Sequence, residues 1–173
     1  MAEPPSSHPL VVVLCTGNAA RSVMAGAMLE AVGVSARIVT AGTHVIENQP
    51  MSIRTRAALE SVGVEVPRHR SRQLSDDHVA DAQLVVAMAA EHVRYIRRRH
   101  PEAATLTATI VWLAEHLPPG PGALSTRVES MHLEKLDPES QGDVADPAGG
   151  SDDDYLQCAR QLHGLVDALV TRL

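Results

Sequence analysis

The sequence predicts an α/β fold, a doubly wound parallel sheet with helices on both faces. Three observations carry this. Apolar, β-branched runs at 10–15 and 84–88 are of strand length and continuous rather than alternating, the mark of strands buried on both faces, and 36–41 reads as a further strand between them. Between them, apolar residues recur at intervals of three and four, the period of an amphipathic helix. Turn-forming Gly, Pro, Ser and Asn stand where one period gives way to the other, so strand and helix alternate as in successive βαβ units.

The first strand, 10–15, ends in Thr-Gly-Asn. Ala25, Met28, Leu29 and Val32 then fall at i, i+3, i+4 and i+7 and give a helix from about Ser22 to Gly33. The second strand, 36–41, is closed by Gly42, and Pro50 is placed to open a helix that runs to about Gly63. Ser75 followed by Asp76 and Asp77 is an N-cap with acidic first-turn residues. The third strand, 84–88, leads into a helix to about His100. Its last turns carry Arg94, Arg97, Arg98 and Arg99, where positive charge suits the dipole and reads as a solvated helix end. A fourth strand is expected at 107–112, a surface loop at 118–122 and a helix at 125–136. Ser151 caps the last helix, along which Tyr155, Ala159, Leu162, Val166, Leu169 and Leu173 repeat at four and three.

At 173 residues the chain fits one domain, expected over 9–173 behind a polar, proline-rich disordered tail at 1–8. The N-terminus lacks the pattern of a secretory signal, and no apolar run approaches the roughly 18 residues of a membrane span. Two distant cysteines give neither zinc spacing nor a disulfide framework, so the expected compartment is the cytoplasm. A net charge of −6 argues against general nucleic-acid or membrane-surface binding. With no Phe and only Trp112, Tyr95 and Tyr155 as aromatics, the core must be Val, Leu, Ile, Ala and Met.

In such a sheet the first strand-to-helix turn is the favoured anion site. Here it reads Cys15-Thr-Gly-Asn-Ala-Ala-Arg21-Ser22, without the glycine pattern of a dinucleotide fold or the Gly-Lys-Ser/Thr of a nucleoside triphosphate loop. A thiol at a helix N-terminus, near a guanidinium, favours the thiolate. Arg21 can hold two oxygens of a tetrahedral oxyanion at once, so the turn describes attack of Cys15 on a bound phosphate. The departing atom then needs a proton. Asp146, stiffened by Pro147, is the best candidate for that acid.

Residues 13–22, Thr40-Ala-Gly42, His69-Arg-Ser-Arg-Gln-Leu74, Leu84-Val-Val-Ala-Met88 and Asp146-Pro147 together resemble the low-molecular-weight protein tyrosine phosphatase family, over roughly 10–170. The resemblance implies a four-stranded parallel sheet in flavodoxin-like order, a phosphocysteine intermediate, and no metal or cofactor. It assigns Cys15 as nucleophile, Arg21 as phosphate clamp and Asp146 as acid, then base. Thr16, Gly17, Asn18, Ala19 and Ala20 form the substrate loop, and Ser22 donates to the thiolate. Thr40 and His69 belong to a supporting network around Asn18, whose backbone is strained. The expected substrate is protein phosphotyrosine, or another phosphorylated protein or small phosphomonoester; the sequence sets no oligomeric state. Protein phosphoarginine, arsenate reduction with an external small thiol, and a non-catalytic anion-binding module are the alternatives, in that order.

The chain departs from the family pattern at several points. Ala20 stands where many members carry a second cysteine that protects the nucleophile through a disulfide. Ala148-Gly-Gly-Ser151 and residues 44–49 lack the aromatics of phosphotyrosine-preferring members. The Asp-Pro-x-Gly-Gly-Ser run is closer to the branch that removes phosphate from arginine, although that branch typically has Thr where Ala19 stands. The segment between Trp112 and Gly142 is longer than the family's usual connection. Of the remaining side chains, Cys158 reads as core and Asp143 as a loop or capping carboxylate. Asp152, Asp153 and Asp154 read as first-turn residues, and His44, His78, His92, His100, His116, His132 and His163 as surface.

Overall fold

The computed structural model describes residues 8–173; the expected tail, apart from His8, lies outside the described residues. Four parallel strands, β1 (Leu10–Cys15), β2 (Arg37–Gly42), β3 (Ala82–Ala87) and β4 (Thr107–Thr109), are ordered β2-β1-β3-β4, the flavodoxin-like order expected. β1 is central and every one of its residues is buried. Val11, Val13 and Cys15 face one core, shared with α1 (Arg21–Ala31), α2 (Ile53–Ser61), α5 (Ile110–His116), α6 (Leu124–Glu129) and α7 (Asp152–Val170). Leu10, Val12 and Leu14 face the other, under α3 (Asp76–Ala80) and α4 (Ala90–Arg99). Alternation of side chains along a strand explains why this sequence shows no alternation of polarity: both faces are interior.

α7 packs across α1, α2 and α5 and buries Tyr155, Cys158, Ala159, Leu162, Val166 and Leu169. The Ser151 hydroxyl accepts from Asp154 N and the Asp154 carboxylate accepts from Ser151 N, so the expected cap is a full capping box. Gly26 lets α1 approach β2, since a Cβ there would run into the Thr40 methyl. Among the described residues no helix is long and apolar enough to cross a membrane.

Four expectations about elements are corrected. The second helix opens at Ser52, whose hydroxyl accepts from Thr55 N at 3.1 Å, and not at Pro50, which makes an extended bridge to Arg70. The fourth strand stops at Thr109, which caps α5 by accepting from Trp112 N. The apolar run continues as helix because Ile110, Leu113, Ala114 and Leu117 fall at i, i+3, i+4 and i+7 and are all buried. The helix expected at 125–136 ends at Glu129: His132 takes a left-handed backbone, φ 51°, and a 3₁₀ turn follows at Leu133–Lys135. Two of the arginines closing α4 are not merely solvated, while Arg98 and Arg99 are exposed as expected. Arg97 donates to the carbonyls of Leu133 and Leu136, and Arg94 pairs with Glu139, so they fasten the segment between α6 and α7 to α4.

Candidate active site

The carboxyl end of β1 delivers Cys15, and the next five residues turn before Arg21 opens α1. The strain expected at Asn18 is present: its φ is 49°, a left-handed value that Asn tolerates better than most residues. Four hydrogen bonds hold it. Arg72 N donates to Asn18 Oδ1 at 3.0 Å, which fixes the amide so that Nδ2 donates to Ser22 Oγ at 2.9 Å and Thr40 Oγ1 at 3.0 Å. His69 Nε2 donates to the Asn18 carbonyl at 2.7 Å. Burial, opposed by that bond and aided by the charge of Arg72, lowers the His69 pKa and keeps the ring neutral, in the Nε2–H tautomer.

Ser22 Oγ accepts from Asn18 and lies 3.0 Å from Cys15 Sγ, within hydrogen-bond reach of the sulfur. Sulfur, hydroxyl and amide thus form one chain of contacts. Among the described residues the amides of Gly17, Asn18, Ala19 and Ala20 donate to no protein acceptor, as in an anion-binding nest. The Ala19 carbonyl is held by the Thr55 hydroxyl at 3.0 Å. Gly42 is the backstop: a Cβ there would sit 2.5 Å from Thr16 O and 2.9 Å from Asn18 N.

Arg21 is 3% exposed. Its Nη1 donates to Val144 O at 3.0 Å, and its Nη2 lies 3.1 Å from Asp146 Oδ2 and 3.3 Å from Thr16 Oγ1. The carboxylate's other oxygen accepts from Ala148 N at 3.1 Å. Asp143 accepts from Ala90 N and Val144 N donates to Met88 O, so the Asp146 loop is pinned to the start of α4 and the end of β3. All the residues singled out in the sequence, Cys15 to Ser22, Thr40, His69 and Asp146, therefore meet at one end of the sheet, with Asp146 reaching the loop through Arg21.

One participant was missed. His92, expected on the surface, is 1% exposed, and its Nε2 lies 2.9 Å from Thr16 Oγ1. Thr16 accepts from Arg21 Nη2 and is shared between His92 Nε2 and Glu91 Oε1, which lies 3.3 Å from its hydroxyl. Burial first, then the charges of Arg21 and His44, push the His92 pKa down to about 3. The signal was present in the sequence: Ala89, His92, Val93 and Ile96 share the buried stripe of α4. His100 is also buried rather than on the surface, with Nδ1 2.8 Å from Asp76. His78 completes the capping box of α3. Cys158 is core as expected, its pKa pushed up to about 11 by burial. Among the described residues the one group of three with ligand atoms close enough to share a metal ion is Asp76, His100 and Glu102, outside the Cys15 loop.

The sequence pattern of the low molecular weight phosphotyrosine protein phosphatases matches residues 10–120. The chain belongs to that family. It is 30% identical to a protein-arginine-phosphatase of Geobacillus stearothermophilus, over 94% of this chain and 95% of that one. The solved structure of the YwlE arginine phosphatase from the same organism superposes with a TM-score of 0.77 at 29% identity, covering 94% of this chain and 90% of that one. A low molecular weight protein tyrosine phosphatase from T. tengcongensis superposes with 0.76 at 28% identity, covering 95% and 99%. The chain is thus a hydrolase of this phosphatase family, and the Cys15 loop occupies the first strand-to-helix turn of its shared fold.

Proposed function

We propose that the protein removes phosphate from phosphoarginine in proteins. The observation that carries this substrate choice is the rim beside the acid. The cavity there is lined by Asp146, Ala148, Gly149, Gly150, Asp154 and Gln157, without an aromatic ring but with two carboxylates. Tyr155, one residue on, is buried beneath the Arg54 guanidinium and offers no wall. A phenyl leaving group gains little there, whereas a guanidinium meets the Asp154 carboxylate while Asp146 keeps its proton for the leaving nitrogen. The likeness to arginine phosphatases over nearly the whole chain supports the same choice. Phosphotyrosine is the second reading, favoured by the family match itself.

In this reading the Cys15 thiolate attacks phosphorus while Arg21 and the loop amides hold the non-bridging oxygens. The S–P bond forms as the P–N bond breaks, and Asp146 gives its proton to the departing guanidine nitrogen. Asp146 then takes a proton from water, whose oxygen displaces sulfur and releases inorganic phosphate. The test compares kcat/KM on phosphoarginine and phosphotyrosine peptides of one sequence, with Cys15→Ser as control. The expected result is a preference of at least tenfold for phosphoarginine, no turnover by Cys15→Ser, and vanadate binding retained by that variant. A preference for phosphotyrosine overturns the substrate, and turnover by Cys15→Ser overturns the mechanism.

A further inference from the structure

We infer that the protein carries a second anion site, beside the Cys15 loop, that binds an acidic stretch of its protein substrate; this rests on the substrate being a phosphorylated protein. The site is a cavity of about 620 Å3 in which Arg56 of α2 meets Arg68, Arg70, Arg72 and His69 of the segment before α3, with Met51 as an apolar wall. The chain as a whole carries a net charge of −6, so four guanidiniums in one cavity run against its overall balance. Several arginines elsewhere have partners, Arg21 with Asp146, Arg54 with Asp152, Arg94 with Glu139, and Arg97 and Arg127 with carbonyl groups, and those that have none, such as Arg37 and Arg160, are not gathered with three others in one cavity. None of the four in the cavity makes an ion pair among the described residues, although all are exposed. Arg70 makes one long bond, 3.4 Å, to the Asn48 carbonyl. Glu60, a turn beyond Arg56, forms no ion pair with it, and Glu30 and Glu65, which line neighbouring cavities together with Arg68, form none with Arg68. Like charges so gathered repel one another, and a ligand that brings negative charge relieves the repulsion.

The spacing selects the ligand. Residues 68, 70 and 72 alternate along a non-helical segment, and Arg70 forms an antiparallel bridge with Pro50. At roughly 3.3 Å per residue of extended chain, Arg68 and Arg72 stand about 13 Å apart along the backbone. Acidic side chains at alternate positions of an extended peptide repeat at the same roughly 6.6 Å. The wall between the cavity and the Cys15 loop is His69, whose Nε2 donates to Asn18 O, and Arg72 N reaches Asn18 Oδ1. A peptide lying across the arginines thus contacts the segment that holds Asn18 of the Cys15 loop in place.

The experiment uses the full chain and two phosphopeptides that differ only in three alternating Glu or Gln residues on one flank. A tenfold or greater kcat/KM advantage for the Glu peptide is expected, carried by KM and shrinking as salt rises. The double variant Arg68→Glu, Arg70→Glu should lose that advantage yet hydrolyse para-nitrophenyl phosphate at the wild-type rate. If that variant misfolds by circular dichroism, the Arg68→Gln, Arg70→Gln pair replaces it. A fluorescent Glu peptide without phosphate, titrated with vanadate filling the Cys15 loop, should bind the wild type and not the variant. Binding of this peptide while neither phosphopeptide is hydrolysed upholds the second site and overturns the proposed substrate. No binding, binding unchanged in the variant, or displacement by a short RNA at lower concentration than by unlabelled peptide overturns the site.

Discussion

His92 should make the protein acid-sensitive by an amount that one substitution removes. Its ring is buried against Thr16, and burial with the nearby Arg21 and His44 charges brings its pKa to about 3, against an unfolded value near 6.5. The folded state therefore binds fewer protons than the unfolded state throughout that interval. Stability from this group is complete above pH 6.5 and is lost as pH falls from there toward 3. Between pH 7 and pH 5 the linkage gives a loss of about 2 kcal/mol, because at pH 5 the unfolded imidazole is nearly all protonated and the folded one is not. The figure barely moves if the folded value is a unit higher, since both lie below pH 5. The assay is urea unfolding of the wild type and of His92→Gln at the two pH values. The difference between the two losses isolates His92, because carboxylates and other histidines titrate in both proteins. A variant that loses as much stability as the wild type refutes the reasoning, as does a ring that titrates above pH 5 by NMR in the folded protein.

Asp146→Ala should slow hydrolysis of alkyl phosphates at least a hundredfold and that of nitrophenyl phosphate far less, because a nitrophenolate leaves without a proton; equal losses in steady-state kinetics would point to another acid. Gly42→Ala forces a Cβ against Thr16 O and Asn18 N, so thermal unfolding should show about 1–3 kcal/mol of destabilisation and kcat should fall more than tenfold. Unchanged kcat would show that the loop can give way. With Ala20 beside the nucleophile and Cys158 buried as a high-pKa thiol, peroxide should inactivate the enzyme without an intramolecular disulfide, and a mass spectrum showing a Cys15–Cys158 bridge would contradict this.

The parts of the protein written in adjacent residues were legible without coordinates. β1, α1 and the turn between them follow from six buried apolar residues, a 3.6-residue period and a Thr-Gly-Asn turn. The eight residues from Cys15 to Ser22 contain the sulfur, the guanidinium and the hydroxyl that meet at the site. Ser151 and Asp154 announce α7 because a capping box is a local contract between residues three apart. Elements whose bounds depend on competing local signals were misread. Thr109 can end a strand or cap a helix, and only the burial of Ile110, Leu113, Ala114 and Leu117 against the sheet favours the helix. Pro50 and Ser52 both suit a helix start, and the bridge from Pro50 to Arg70, twenty residues on, gives it to Ser52.

Tertiary structure alone decided what surrounds the loop. Sequence by itself pointed to the sheet's alternation and to the residues proposed as nucleophile, clamp and acid, because each lies in a short segment with its own chemistry. It could not place His92 under Thr16 or Arg72 N on Asn18 Oδ1, nor gather Arg56 with Arg68, Arg70 and Arg72 in one cavity. Those contacts join segments separated by 76, 54 and at least 12 positions. Their geometry exists only once β1, β2 and β3 lie side by side and their carboxyl ends bring the connecting loops to one edge. The chemistry is local in the chain; its orientation, electrostatic setting and access are properties of the packed sheet.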